Sequence, residues 1–223
     1  MELLMIRNAE AQTSTGLTVN SDAALTDLGM KQAVITGVWL RHNMHLKGFK
    51  GFVAPELRTL QTASVISEIT GVEFVVDSNL RDYRFDRSGG LRDGGINIEN
   101  RSILFMNLQW PAKEWEKSSN FYSAETVEQF LERGNKTIKS YPEKALIISH
   151  ASPIVLMSHM ATGKDAVAIK NTVDETANFV ASSSIKTVLG QLEKYVFLNG
   201  VRPCGITHVV DGEAKSFSRV VYQ

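Results

Sequence analysis

The sequence predicts an α/β fold: a three-layer α/β/α sandwich with a mainly parallel central sheet and an inserted lid segment. Three observations predict it. Short apolar runs alternate with helical stretches, strand then helix then strand, the order that parallel strands and their crossovers require. Arg7 and Asn8, Pro55 with Glu56, and His150 each come directly after a predicted strand, and in such sheets ligands bind beyond the carboxyl ends of the strands. A stretch at about 83–122 has no clean period and interrupts the alternation, which marks it as an insertion in a single domain spanning 1–223.

The elements follow in order. ELLMI, residues 2–6, is a short apolar run before Arg7. TDLGMKQAVITGVWLRH, residues 26–42, places Leu28, Ile35, Val38 and Trp39 near helical spacing, with Thr26 as N-cap. GFVA at 51–54 is a strand, and PELRTLQTASVISEIT is a helix with Pro55 in its first turn, where a missing N–H does little harm. VEFVV at 72–76 is a strand. The insertion carries Tyr83, Phe85, Phe105, Trp110, Trp115, Phe121 and Tyr122 between Arg84, Arg87, Arg92 and Arg101. These aromatics fit packing on the body, or a ligand-contacting lid over the strand ends. SAETVEQFLERGNKTIK resumes a helix with Ser123 as N-cap. ALIIS at 145–149 is the clearest buried strand, and SPIVLMSHMATG is a helix closed by Gly163. ITHVV and SRVVY flank Asp211-Gly212, a hairpin signal.

Composition removes several function classes. The chain has 24 Lys+Arg and 24 Asp+Glu, a formal net charge of +0, so nothing supports binding to nucleic acid through excess positive charge. Any anion recognition must be local. A lone cysteine, Cys204, excludes an internal disulfide, a CxxC pair and a Cys-rich metal site, and fits a reducing, cytoplasmic setting. The apolar run of MELLMIR is too short for a signal peptide, and no run reaches the ~18–20 apolar residues of a membrane span. No GxGxxG follows the first strand, which disfavours a dinucleotide-dependent oxidoreductase. His42, His45 and His159 read as helix-surface residues, and Cys204 as a small buried one. The oligomeric state stays open.

At the strand ends, Arg7 and Arg58 suit a phosphate or carboxylate, because guanidinium groups bind such anions bidentately. His150, directly after a buried strand, suits donation to the same anion or proton transfer. A nearby acid can protonate a leaving oxygen.

The motifs around these residues resemble the histidine phosphatase superfamily, also called phosphoglycerate-mutase-like. Its usual opening Arg-His-Gly/Ala-Glu appears as Arg7-Asn8-Ala9-Glu10. Its Leu-Thr-x-x-Gly-x-x-Gln-Ala appears in full as Leu25 to Ala33. Its Ser-Pro-x-x-Arg-Thr-x-Gln-Thr-Ala appears from Ala54 to Ala63, departing only at the first residue. Leu80-Arg81-Asp82 stands for Leu-x-Glu, Ala124-Glu125-Thr126 for Gly-Glu-Ser, and Ser149-His150-Ala151 for the last strand's end.

The resemblance implies a phosphomonoester hydrolase with a phosphohistidine intermediate and no metal or organic cofactor. It assigns Arg7, Arg58 and His150 to the phosphoryl group, and Asp82 to the leaving group, with Glu125 as the other candidate acid. Position 8, the nucleophile's place, holds Asn8. A carboxamide nitrogen has no basic lone pair, so the expectation is a chain that binds a small phosphorylated molecule but barely turns it over. The alternative is a natural pseudophosphatase that holds a phosphorylated ligand as sensor or regulator. Asp82-Tyr83-Arg84-Phe85 lacks the Glu-Arg-His-Tyr-Gly of the cofactor-dependent mutases, which favours a phosphatase type. An insertion bearing arginines and aromatics suits a ligand with a planar part, such as a nucleotide.

Overall fold

In the computed structural model, described here over residues 1–15, 22–83, 98–111, 125–163 and 201–221, a seven-stranded sheet is covered on both faces. The strands are β1 (Glu2–Arg7), β2 (Lys50–Val53), β3 (Phe74–Val76), β4 (Leu108–Gln109), β5 (Lys144–Ser149), β6 (Ile206–Val210) and β7 (Glu213–Arg219). Their order is β4-β3-β2-β5-β1-β6-β7. The first five in that order run parallel, while β6 is antiparallel to β1 and β7 to β6. The helices are α1 (Asp27–Asn43), α2 (Leu57–Thr70), α3 (Ile98–Leu104), α4 (Val127–Ser140) and α5 (Ala151–Ala161).

Alternation along β1 sets the two cores, because successive side chains point to opposite faces of a sheet. Leu4 and Ile6 pack with Leu40, Leu60 and Ile66 beneath α1 and α2. Leu3 and Met5 pack with Ile138, Ile154 and Met157 beneath α4 and α5. The result is the expected three-layer arrangement.

Several local expectations change. α1 starts at the expected cap, with the Thr26 hydroxyl accepting from Gly29 N–H at 2.9 Å. Its buried face, however, is Gly29, Gln32, Ala33, Thr36, Gly37 and Leu40. Leu28, Ile35 and Val38 are exposed. Small residues go inside because α1 lies close to its neighbours: a Cβ at Gly37 would stand 2.9 Å from the Ile69 Cδ1. Pro55 precedes α2 rather than entering its first turn, and Glu56 is the N-cap. The helix after the insertion is capped by Thr126, in a reciprocal capping box with Gln129; Ser123 lies outside the described residues.

The described part of the insertion is not irregular. It forms α3 and then β4, which extends the sheet beside β3. Phe105 joins the core, Trp110 packs against it, and Tyr83 stacks on Phe130 with ring centroids 4.5 Å apart. Phe85, Trp115, Phe121 and Tyr122, with Arg84, Arg87 and Arg92, lie outside the described residues. The C-terminal hairpin turns at Asp211-Gly212 as expected, both with positive φ (48° and 81°). Among the described residues no helix is long and apolar enough to cross a membrane.

Candidate active site

The parallel strands deliver Arg7, Glu56 with Arg58, Asp82 and His150 to one edge of the sheet. β1 and β5 run side by side with Arg7 opposite Ser149. Asn8 N–H then donates to the Ser149 carbonyl at 2.8 Å, tying the residue after Arg7 to the residue before His150. Arg7 Nη1 donates to the Val201 carbonyl at 2.6 Å, and the Arg7 and Asn8 carbonyls both accept from Cys204 N–H, at 3.0 and 3.3 Å. Asn8 is buried, and its Nδ2 donates to the Ala9 carbonyl at 2.8 Å.

The motif residues that surround this loop hold it in place. Ala9 N–H donates to Thr62 Oγ1, and Thr62 in turn donates to the Arg58 carbonyl at 2.7 Å, so the loop is bound to the helix that carries Arg58. Glu10 N–H donates to Gln32 Oε1 at 2.9 Å, Thr26 Oγ1 donates to the Glu10 carboxylate, and Leu25 N–H donates to Gln61 Oε1. Gly29 lies so close that a Cβ there would stand 2.0 Å from the Glu10 carbonyl oxygen. Behind the loop, Cys204 is fully buried with Ala9, Ala11, Leu25 and Ala33, as the sequence suggested. Burial pushes its thiol up to about 12.

Arg58, Asp82 and His150 meet directly. Arg58 Nη2 is 3.0 Å from His150 Nδ1 and 3.3 Å from Asp82 Oδ2. Asp82 Oδ2 is 3.8 Å from His150 Nδ1, and the Asp82 side chain keeps 34% of its surface exposed. A guanidinium has only donors, so a hydrogen bond here requires His150 Nδ1 as the acceptor and a ring proton on Nε2. That nitrogen faces Glu56 Oε2 at 2.9 Å.

Glu56 is the member that sequence reasoning missed. In sequence it stands at a strand end with no role of its own. Its signal was there: a carboxylate two residues before Arg58, at the same sheet edge as His150. The residue is 4% exposed, and its other oxygen accepts Asp82 N–H at 3.1 Å. Burial pushes its carboxyl up, but His150, Arg58 and the Asp82 N–H outweigh this and bring it down to about 2.

Glu125 belongs to a different cluster. Its carboxylate pairs with Arg133 and Arg81, and Arg133 also donates to the Asn79 and Arg81 carbonyls. Arg101, one of the insertion's arginines, is likewise engaged with the body: it pairs with Asp22 and donates to the Pro55 carbonyl. Among the described residues no cluster of His, Cys, Asp and Glu is arranged to hold a metal ion.

Comparison with known proteins gives this arrangement its family. The model of the histidine phosphatase superfamily (branch 1) matches residues 3–181. The chain belongs to that superfamily. Its class is accordingly phosphatase-type, a phosphomonoester hydrolase by family. No curated protein matches the chain.

Among solved structures the histidine phosphatase chain resembles a protein described as mycobacterial hydrolase 1, with 16% identity, 98% of each chain covered and a TM-score of 0.59. A mycobacterial glucosyl-3-phosphoglycerate phosphatase complexed with VO3 is similar at 16% identity, covering 97% of this chain and 98% of that one, TM-score 0.59. A phosphoserine phosphatase mutant from Entamoeba histolytica, bound to phosphoserine, is similar at 15% identity, with 98% and 97% covered and a TM-score of 0.53. At these identities the likeness is one of fold.

Proposed function

We propose that this single-domain protein, with its insertion at about 83–122, binds a small phosphorylated molecule in a phosphomonoester-hydrolase site whose nucleophile position is occupied by Asn8. Arg7, Arg58 and His150 hold the phosphoryl oxygens, and Asp82 faces the leaving oxygen as proton donor. The observation that carries the reading is the Arg58–His150–Asp82 cluster at the sheet edge, within 3.0–3.8 Å of one another. Charge-assisted hydrogen bonds of this kind are the strong ones for a phosphate. Asp82, in contact with the cluster and partly exposed, is better placed for the acid's role than Glu125, whose oxygens are bound by two arginines.

Asn8 explains both what is kept and what is lost. Its Nδ2 donates to the Ala9 carbonyl at 2.8 Å. An imidazole at this position can make the same bond through Nδ1–H, which leaves Nε2 with its lone pair free for attack on phosphorus. The carboxamide makes the bond but offers no such lone pair, so phosphate is bound and no phosphoryl-enzyme forms.

The test is hydrolysis of an aryl phosphate by the chain and by Asn8→His, together with calorimetric titration of inorganic phosphate, a sugar phosphate and a nucleoside monophosphate. The variant is expected to turn over at least ~10³-fold faster, with the parent binding without turnover. Tightest binding of the nucleoside monophosphate supports the nucleotide-like substrate. Equal turnover by parent and variant refutes the assignment of position 8. A parent that binds, with an inactive variant, favours the sensor or regulator.

A further inference from the structure

We propose that Glu56 is a positioning residue: one buried carboxylate accepts from His150 Nε2–H and Asp82 N–H together, fixing the ring's tautomer so that Nδ1 faces the phosphate pocket. The inference rests on the phosphate-site reading for its functional meaning, but not for its geometry. The two contacts are 2.9 Å and 3.1 Å, one to each oxygen. Glu56 is 4% exposed and His150 2%, so water does not substitute for either partner.

Among the described residues, Glu56 and Arg58 at the start of α2 and Asp82 after the 3₁₀ turn at Ser78–Leu80 meet the ring, and Arg7 lies on β1 beside Ser149. Of these, only Glu56 meets Nε2. Without it Nε2–H loses its acceptor, and the tautomer rests on Arg58 alone, 3.0 Å from Nδ1, until a phosphoryl oxygen takes that guanidinium. With Glu56 ionised, Nδ1 keeps its lone pair for Arg58. When a phosphoryl oxygen takes Arg58, Nδ1 accepts one proton from the incoming phosphate monoanion, which becomes the dianion, and shares it as a hydrogen bond with that oxygen. The ring is then an imidazolium between two anions, Glu56 and the phosphoryl group. The same carboxylate holds the backbone of Asp82, so one side chain sets the phosphate-binding ring and the neighbouring acid in common register.

A carboxamide cannot replace it. Gln has one acceptor oxygen and one donor nitrogen, so at position 56 it can satisfy His150 Nε2–H or Asp82 N–H, and it opposes the other with a second donor.

The experiment is ¹⁵N NMR of the His150 ring in the parent chain, at neutral pH, without and with inorganic phosphate, repeated in Glu56→Gln. Without phosphate the parent is expected to show a protonated Nε2 and an unprotonated Nδ1, and with saturating phosphate both protonated. In Glu56→Gln the two nitrogen shifts move toward each other as tautomers mix. A parent ring protonated on Nδ1 before phosphate is added, or ring shifts left unchanged both by Glu56→Gln and by Glu56→Leu, which has no acceptor at all, overturns the proposal.

The catalytic arm uses the Asn8→His background, where adding Glu56→Gln is expected to lower kcat by on the order of 10–100-fold while the fold is retained. Unchanged kcat there also overturns it. If Asn8→His is itself inactive, the hydrolase reading fails, and the tautomer result, read in the parent, stands apart from it.

Discussion

Gly29→Ala sets two opposing effects against each other, and the structure decides between them. Gly29 lies in the first turn of α1, where alanine is the better helix former by about 0.8–1.0 kcal/mol. Against this, the new Cβ would stand 2.0 Å from the Glu10 carbonyl oxygen, where ordinary contact begins at 3.4 Å. The obstacle is backbone, so the α1 terminus and the Arg7-to-Glu10 loop must separate by roughly the difference.

Three bonds hold them together: Thr26 N–H to the Glu10 carbonyl at 3.1 Å, Glu10 N–H to Gln32 at 2.9 Å, and Thr26 Oγ1 to the Glu10 carboxylate at 2.8 Å. A separation above 1 Å breaks all three, at about 1 kcal/mol each. The clash therefore wins, with a net loss of about 2 kcal/mol. For a chain of this size that lowers Tm by about 4–8 °C. Calorimetry of parent and variant measures it, and phosphate titration measures the accompanying displacement of Arg7 as a loss of affinity. A variant as stable as the parent would refute the reasoning, because helix propensity would then have outweighed the close approach.

The remaining expectations concern the charged groups. Glu56 is held at about 2 against an ordinary 4.5. Its ionised form therefore stabilises the fold fully above about 4.5, and this is lost as pH falls through about 2, a contribution on the order of 3 kcal/mol. Urea unfolding between pH 5 and 2 should show this dependence in the parent and a flatter one in Glu56→Gln. Arg101→Met takes the guanidinium partner from the buried Asp22 carboxylate and removes the donor to the Pro55 carbonyl, so unfolding measurements should show a loss of about 3–5 kcal/mol. In the Asn8→His background, Asp82→Asn should lower kcat by about 10²–10⁴-fold, most with poor leaving groups. Glu125→Gln should leave kcat in place and lower Tm, since its carboxylate serves Arg81 and Arg133. Steady-state kinetics on two aryl phosphates of different leaving-group acidity checks both.

By itself the sequence determined the layers, the strand that ends each motif, and the edge on which Arg7, Arg58 and His150 lie. These follow from local periodicity and from the handedness of crossovers, which need no knowledge of contacts. It also put a carboxamide at position 8, which lacks a basic nitrogen in any fold.

Other features needed the tertiary structure. The apolar spacing of Leu28, Ile35 and Val38 marks a helix but not its buried face; close approach to Glu10 and Ile69 decided that in favour of Gly29 and Gly37. The arginines of the insertion read alike in sequence, yet Arg101 is engaged with Asp22, a partner 79 residues away. In sequence Glu125 and Asp82 stand alike as candidate acids; in the structure two arginines engage Glu125, and Asp82 stands beside His150. Glu56 gained its place only when His150, 94 residues further on, was brought to 2.9 Å from it. Pairings across such separations depend on how strands are ordered in the sheet, and that order is a property of the packed chain, not of any segment of it.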